Sequence, residues 1–234
     1  MGFDKVLADS LAARGTPVLC VDTCSILDVI RDPTRDTVNA NDAEASIALV
    51  HALEAGALLG VVAQQVTLEL QDHLDTVAGE ARNALTRFVT RVERIDAIAK
   101  AFGTNQVVDL AHFDGHVSKA RLVVERWISV AEAVPQSTDI PALAWARMLE
   151  LRTPAQKGKD SMKDCVVIET YLDAVKALRN SGLSSRIVFL SSNIKDYTGK
   201  ESGGLLNADL GKEFANLNID YARNASQAKY LLGL

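Results

Sequence analysis

The sequence has few cysteines, no long apolar run and no pattern typical of export. Its three cysteines, Cys20, Cys24 and Cys165, form no CxxC pair, which argues against a disulfide framework and against a cysteine-based zinc site. No apolar stretch reaches the length that spans a bilayer, and Asp4 and Asp9 lie where a signal peptide would be apolar. We therefore expect a cytoplasmic protein that does not bind membranes.

An excess of basic residues is also missing. The formal net charge is -5 and the isoelectric point is about 5.4, so any contact with nucleic acid would depend on local basic patches or on bound cations. The sequence also contains no Walker loop, no glycine-rich dinucleotide turn and no nucleophile elbow. These absences exclude the common nucleotide-binding, dehydrogenase and serine hydrolase classes.

What the sequence does contain is an alternation of apolar runs and helical stretches. The 234 residues are 48% hydrophobic, which is enough to form the core of a single domain over 1–234. Strands are predicted at 17–22, 57–63, 185–193 and 217–224, and a helical elaboration at about 78–150. Strands that alternate with helices predict an α/β fold with a central parallel sheet.

Acidic residues follow the predicted strands at one edge of this sheet. Asp22 ends the first strand, Glu69 lies early in the helix after the second, Asp164 starts a later helix, and Asp196 follows the third strand. Ligands of parallel sheets bind where the carboxyl ends of the strands meet. Four carboxylates at one such edge would repel each other, and Mg²⁺ or Mn²⁺ would relieve this repulsion better than zinc, because all the ligands are oxygens.

Each acid also has a plainer interpretation. Asp22 could cap the short helix that follows it, and Asp196 could be a turn residue. Asp72 lies on the same helical face as Glu69, and Asp160, which is better placed as a helix cap, shares a face with Asp164. Whether Asp72 or Asp160 joins the site is therefore left open.

Four segments that contain these acids resemble a known family. They are "VDTCSILD", "VTLELQDH", "KDSMKDCVVIETYL" and "FLSSNIKDY", and in this order they are similar to the acidic motifs of PIN-domain nucleases, especially the larger stand-alone PIN-like proteins of bacteria. The resemblance covers residues 16–75 and 157–234. The middle of the chain does not match the compact members of the family, such as the toxin ribonucleases.

The resemblance implies a three-layer α/β/α fold and metal-dependent hydrolysis of phosphodiester bonds, usually in RNA. By position, Asp22, Glu69, Asp164 and Asp196 would be both the catalytic residues and the ligands of Mg²⁺ or Mn²⁺. Supporting roles would fall to three polar residues that can orient the ligands, water or phosphate, namely Thr23, Ser25 and Asn193.

Basic residues near these motifs are candidates for substrate binding. Lys157, Lys159 and Lys163 precede or flank Asp164, and their ammonium groups could hold phosphates close to the metal site. A solvated loop explains the same lysines equally well. A further arginine stripe recurs at helical spacing in the middle of the chain, and such a stripe is usually a solvated helix face; it comprises Arg87, Arg91 and Arg94.

RNA is thus the expected partner, with DNA as the alternative substrate. The sequence leaves open an antitoxin or other inhibitor protein and a homodimer. Two other functions also remain: a catalytically inactive PIN-like module that binds nucleic acid or protein, and a phosphatase of the haloacid-dehalogenase type. The latter chemistry needs a second aspartate two residues after the first, where this chain has Cys24.

Overall fold

The structure is a computed structural model that describes residues 3–106, 108–199 and 204–234. Its strands form one sheet in which all neighbours are parallel, in the order β3-β2-β1-β4-β5. The strands are β1 (Val18–Val21), β2 (Leu59–Ala63), β3 (Glu132–Val134), β4 (Ile187–Leu190) and β5 (Ile219–Ala222).

Helices connect these strands and cover the sheet, which gives the three-layer α/β/α architecture that the sequence predicts. The described α-helices are α1 (Lys5–Ala12), α2 (Thr23–Leu27), α3 (Ala40–Glu54), α4 (Gln64–Ala101), α5 (His116–Val130), α6 (Ile140–Leu149), α7 (Met162–Asn180), α8 (Ile194–Tyr197), α9 (Ala208–Leu217) and α10 (Ala225–Leu232). No helix in the described ranges is both long and apolar enough to span a bilayer.

Aliphatic residues explain why β1, β2 and β4 occupy the centre of the sheet. Every residue of these strands is buried, which is the pattern expected of parallel strands covered on both faces. Helices α3 and α10 pack against each other, as do α1 and α7. The main core lies between these helix layers and the sheet.

The segment predicted as helical contains one strand that the sequence does not reveal. Strand β3 pairs with β2 through Val61 and Glu132, so it adds an edge to the sheet within residues 78–150. It has only three residues, of which Val134 alone is buried. A run this short shows no readable period, and the pairing with β2 is what makes it extended.

The strand order places a topological switch point between β1 and β4. The chain continues from β1 to β2 on one side, whereas β4 lies on the other side of β1. In sheets of this kind, the crevice at the carboxyl ends of two such strands is the usual ligand site. Tyr171 of α7 braces this edge, because its hydroxyl donates to the carbonyl of Val21 (2.6 Å) and accepts from the amide of Ala63 (3.1 Å).

Candidate metal centre

Asp22 lies directly after β1 at the switch point. Its Oδ1 accepts a hydrogen bond from the amide of Thr23 (2.8 Å), so it does cap α2. Its Oδ2 accepts from Ser191 Oγ (2.7 Å), at the end of β4, and from Cys24 Sγ (3.4 Å). Burial raises the pKa of Asp22; these hydrogen bonds oppose the shift, and the charge of Glu69 adds to it. The carboxylate is therefore a cap that also faces the crevice.

Glu69 connects the start of α4 to the end of β1. Thr23 Oγ1 donates to its Oε2 (2.7 Å), and Gln65 Nε2 donates to its Oε1 (3.0 Å). Because Gln65 lies one helical turn before Glu69, it holds this side chain on the face that Thr23 approaches. The sequence predicts a supporting role for Thr23, whose amide donates to Asp22 and whose hydroxyl donates to Glu69.

Asp196 lies in α8, beyond the end of β4, and is only 6% exposed. Asn193 Nδ2 donates to its Oδ2 (2.6 Å), and Gln156 Nε2 donates to its Oδ1 (3.0 Å). Lys159 forms an ion pair with the same carboxylate. Three side chains from two segments therefore satisfy Asp196, one of them a cation.

Asp164 lies in the first turn of α7 and is half-buried. Burial raises its pKa to about 7, with further contributions from the charges of Asp22, Asp196 and Glu69 and an opposing one from Lys159. These interactions require that the four carboxylates share one electrostatic environment. We call these residues the acidic cluster; its members are Asp22, Glu69, Asp164 and Asp196.

The acidic cluster supplies the donors that a hard divalent cation prefers, since every side chain ends in carboxylate oxygens. Among the described residues, however, no three His, Cys, Asp or Glu side chains lie close enough to surround one ion. The oxygens of Asp22, Glu69 and Asp196 are turned towards hydrogen-bond donors instead. Binding a cation would thus require these side chains to exchange such partners for it.

A second observation also points to a ligand at this edge. Tyr197 follows Asp196, its side chain is fully buried, and its hydroxyl has no hydrogen-bond partner among the described residues. Burial raises the pKa of Tyr197 well above its usual range, and the charges of Asp22 and Asp164 add to that shift. A buried hydroxyl without a partner is uncommon and leaves a place for a water or another polar group. The donor set of the acidic cluster itself fits Mg²⁺ or Mn²⁺, because all its donors are carboxylate oxygens.

The remaining candidates occupy less central positions. Ser25 accepts a hydrogen bond from the amide of Ser192 (2.8 Å), which ties α2 to the end of β4. Lys157 and Lys163 are exposed on either side of Lys159. Asp72 is exposed on α4, whereas Asp160 accepts a hydrogen bond from the amide of Met162 (3.3 Å) at the start of α7.

The arginine stripe lies far from these groups. Its residues are exposed on α4 and begin 18 positions after Glu69, which is about 27 Å along a helix that rises about 1.5 Å per residue. They therefore do not belong to the acidic cluster. Their positions are Arg87, Arg91 and Arg94.

Sequence reasoning missed three polar partners of the acids. Ser191 directly follows the buried strand β4, and this position is a signal that could have identified it. Gln65 could have been found from its spacing of four residues before Glu69. Gln156 has no such signal, because it reaches Asp196 from a loop 40 positions earlier.

Comparison with known proteins gives one result. A family model described as "PIN domain" matches residues 19–197, about three quarters of the chain, and this range includes the whole acidic cluster. No curated protein and no solved structure matches the chain.

Proposed function

The chain belongs to the PIN-domain family, whose members are in general nucleases that use divalent metals, and we propose that it is a metal-dependent endoribonuclease. The observation that carries this proposal is the acidic cluster at the switch point, where burial and neighbouring charges raise the pKa of Asp164 to about 7. A carboxyl in a crevice whose pKa is raised by burial and by neighbouring charges is a candidate for a functional site.

We assign the acidic cluster as the catalytic residues and the ligands of Mg²⁺ or Mn²⁺. When bound, the cation activates water for attack on phosphorus and neutralises the charge that develops on the phosphate. Asp22 and Glu69 are the ligands that Ser191, Thr23 and Gln65 orient by hydrogen bonds. Such partners fix the direction of a ligand and are often as important as the ligand itself.

The lysines beside the acidic cluster would bind the substrate. Lys159 is the cation held against Asp196, and Lys157 and Lys163, which are exposed and within four positions of it in the chain, are the further candidates. Ammonium groups in such positions contact backbone phosphates and therefore do not select a sequence. Asn193, whose side-chain amide donates to Asp196, keeps that carboxylate in place.

The first test is cleavage of mixed single-stranded and structured RNA, with single-stranded DNA in parallel, with Mn²⁺ and with a chelator. Asp22→Asn and Asp164→Asn should each reduce the Mn²⁺-dependent rate more than about 100-fold, because each removes a metal ligand. Asp220→Asn is the matched control, since Asp220 is exposed on β5. It should cleave at the wild-type rate.

Other outcomes are equally informative. Equal cleavage by wild type and by both variants would locate the activity elsewhere, and cleavage of DNA alone would identify the other substrate. A wild type that neither cleaves nor binds Mn²⁺ in calorimetry would favour the inactive binding module. The observation in favour of that second candidate is that, within residues 3–106, 108–199 and 204–234, no three acids surround one point. Family membership argues against the phosphatase alternative.

A further inference from the structure

Arg147 of α6 is a buried cation that the proposed chemistry does not use. Its side chain is 0% exposed, although a guanidinium keeps its charge at every physiological pH. Burial of a charge is costly unless partners neutralise it and satisfy its donors. The partners of Arg147 should therefore show which part of the structure its ion pairs hold in place.

Three elements meet at this guanidinium. Nε donates to Glu169 Oε1 of α7 (2.6 Å), Nη2 donates to Glu213 Oε2 of α9 (2.9 Å), and Nη1 donates to the carbonyl oxygen of Thr153 (2.6 Å). Arg152 pairs with the other oxygen of Glu213. We call these four charged residues the Arg147 cluster; its members are Arg147, Arg152, Glu169 and Glu213.

The carbonyl contact to Thr153 extends this cluster into the loop between α6 and α7, residues 152–160. Asp209 of α9 binds Thr153 twice more, accepting from its amide (2.6 Å) and from its hydroxyl (2.8 Å). Burial raises the pKa of Asp209, but these hydrogen bonds, together with those from the backbone of Leu210 and of Asp209 itself, outweigh burial and leave the pKa lowered. Ala155 packs into a small core with Ile140 and Val166. The start of the loop is therefore fixed to α6, α7 and α9.

The other end of the same loop reaches the acidic cluster. Gln156 and Lys159 both bind Asp196, although both residues are exposed. Three residues of chain extend no more than about 10 Å, so fixing Thr153 confines Gln156 to the neighbourhood of Asp196. A lysine side chain loses considerable rotamer entropy when an ion pair holds it in one conformation. If the backbone of the loop is already fixed, only the side chain of Lys159 has to be ordered when it pairs with Asp196.

We propose that Arg147 is a positioning residue whose ion pairs hold loop 152–160 so that Gln156 and Lys159 stay on Asp196. Removal of the guanidinium releases the carbonyl of Thr153 and leaves Glu169 without its cation. The loop then moves and Lys159 leaves Asp196. The consequence for RNA binding rests on the proposed function, whereas the placement of Lys159 does not.

Competitive acetylation with trace acetic anhydride, read by mass spectrometry, tests the placement of Lys159 directly. In the wild type, the ion pair with Asp196 shields Lys159, so we expect it to react severalfold more slowly than Lys157, which serves as an internal reference. In Arg147→Met the two lysines should react at similar rates. Arg121→Met is the matched control, because Arg121 pairs with Asp75 and Glu125 on the surface; it should keep the wild-type ratio.

A second variant keeps the test valid if Arg147→Met fails to fold. Asp209→Ala leaves the guanidinium in place but removes both side-chain acceptors of Thr153, and it should also expose Lys159. Circular dichroism establishes that each variant is folded. If the ratio of Lys159 to Lys157 stays at the wild-type value in a folded variant that loses these contacts, the proposal is wrong.

Kinetics distinguish a positioning role from a general loss of structure. If the protein cleaves RNA, Asp209→Ala should raise KM about tenfold and change kcat less than about threefold, because it misplaces a phosphate contact and no metal ligand. A tenfold fall in kcat with an unchanged KM would contradict a role of this loop in positioning Lys159. If the wild type does not cleave RNA, the acetylation ratio still decides the inference, so the two proposals fail separately.

Discussion

Two clusters of charged residues lie at the two ends of loop 152–160, and their charges differ in balance. The Arg147 cluster contains two guanidinium groups and two carboxylates, and ion pairs link all four groups. The acidic cluster contains four carboxylates, and among the described residues Asp196 alone of these has a cation, Lys159, within ion-pair distance. The first is thus close to neutral, whereas the second has an excess of negative charge.

This difference separates a cluster that stabilises the fold from one that we propose to be functional. Neutralised charges with satisfied donors can remain buried at little net cost, but they are strongly destabilising when one partner is removed. An excess of like charge destabilises the fold because the charged groups repel each other. Burial, together with this repulsion, raises the pKa of Asp164. The acidic cluster is therefore maintained by the rest of the fold, and we propose that a cation completes it.

The largest effect should come from breaking the balanced cluster. Arg147→Met leaves the buried carboxylate of Glu169 without a cation, so we expect the free energy of unfolding to fall by about 3–5 kcal/mol. Urea denaturation followed by circular dichroism measures this change. A loss smaller than about 1 kcal/mol would mean that the ion pairs of the Arg147 cluster do not stabilise the fold, and the two clusters would then not differ as structural and functional.

Adding a cation should act on the unbalanced cluster alone. Mn²⁺ at 100 times its dissociation constant should raise the free energy of unfolding by about 2.7 kcal/mol, because it binds only the folded state. A chelator should reverse the effect, and thermal unfolding with and without Mn²⁺ measures it. Asp22→Asn should lose most of the gain, whereas the exposed control Asp220→Asn should keep it.

A pH series sharpens the comparison further. In the folded state the pKa of Asp164 is about 7 instead of 3.8, so between these values the folded protein binds more protons than the unfolded chain. The contribution of Asp164 to the stability of the metal-free protein should therefore fall as pH rises from about 4 to about 7. Asp164→Asn removes this contribution and should be more stable than wild type by about 1 kcal/mol at pH 8.

Thermal unfolding of both proteins at pH 5 and pH 8, in chelator, measures this difference. The advantage of Asp164→Asn should shrink at pH 5, where the wild-type carboxyl is already neutral in the folded state. An advantage of the same size at both pH values would show that it does not arise from the charge of Asp164.

The smallest effect should come from an arginine that is exposed. Arg121→Met removes ion pairs with Asp75 and Glu125 on the surface, and such pairs contribute less than about 1 kcal/mol. The loss should become smaller still in 1 M salt, since salt screens exposed charges. Urea denaturation at two salt concentrations tests this prediction. If Arg121→Met lost as much stability as Arg147→Met, burial would not explain the large effect expected at Arg147.

The sequence predicted the central strands and the parallel sheet, because an apolar run covered on both faces has a local signature. The acid after β1 could be identified in the same way: Asp22 interrupts a buried strand, and the structure places it at the switch point. Glu69 and Asp164 were predicted from their positions near the start of helices, and their roles stay predictions. Strand β3 was missed, because three residues at an edge show no period.

Other features could not be read from the sequence at all. Arg147 lies in a helix whose pattern does not distinguish a buried arginine from an exposed one, and its partners Glu169 and Glu213 are 22 and 66 positions away. The lysines of loop 152–160 looked alike, yet Lys159 alone among them pairs with an acid in the part of the chain that the structure describes.

By itself the sequence determined four of the five strands of the sheet and the acids that follow them, because apolar periodicity and the residue after a strand are local properties of the chain. Only the tertiary structure decided which donors meet each carboxylate, which cation is buried, and which lysine reaches Asp196. These are contacts between distant residues, and the packing of helices on the sheet creates them.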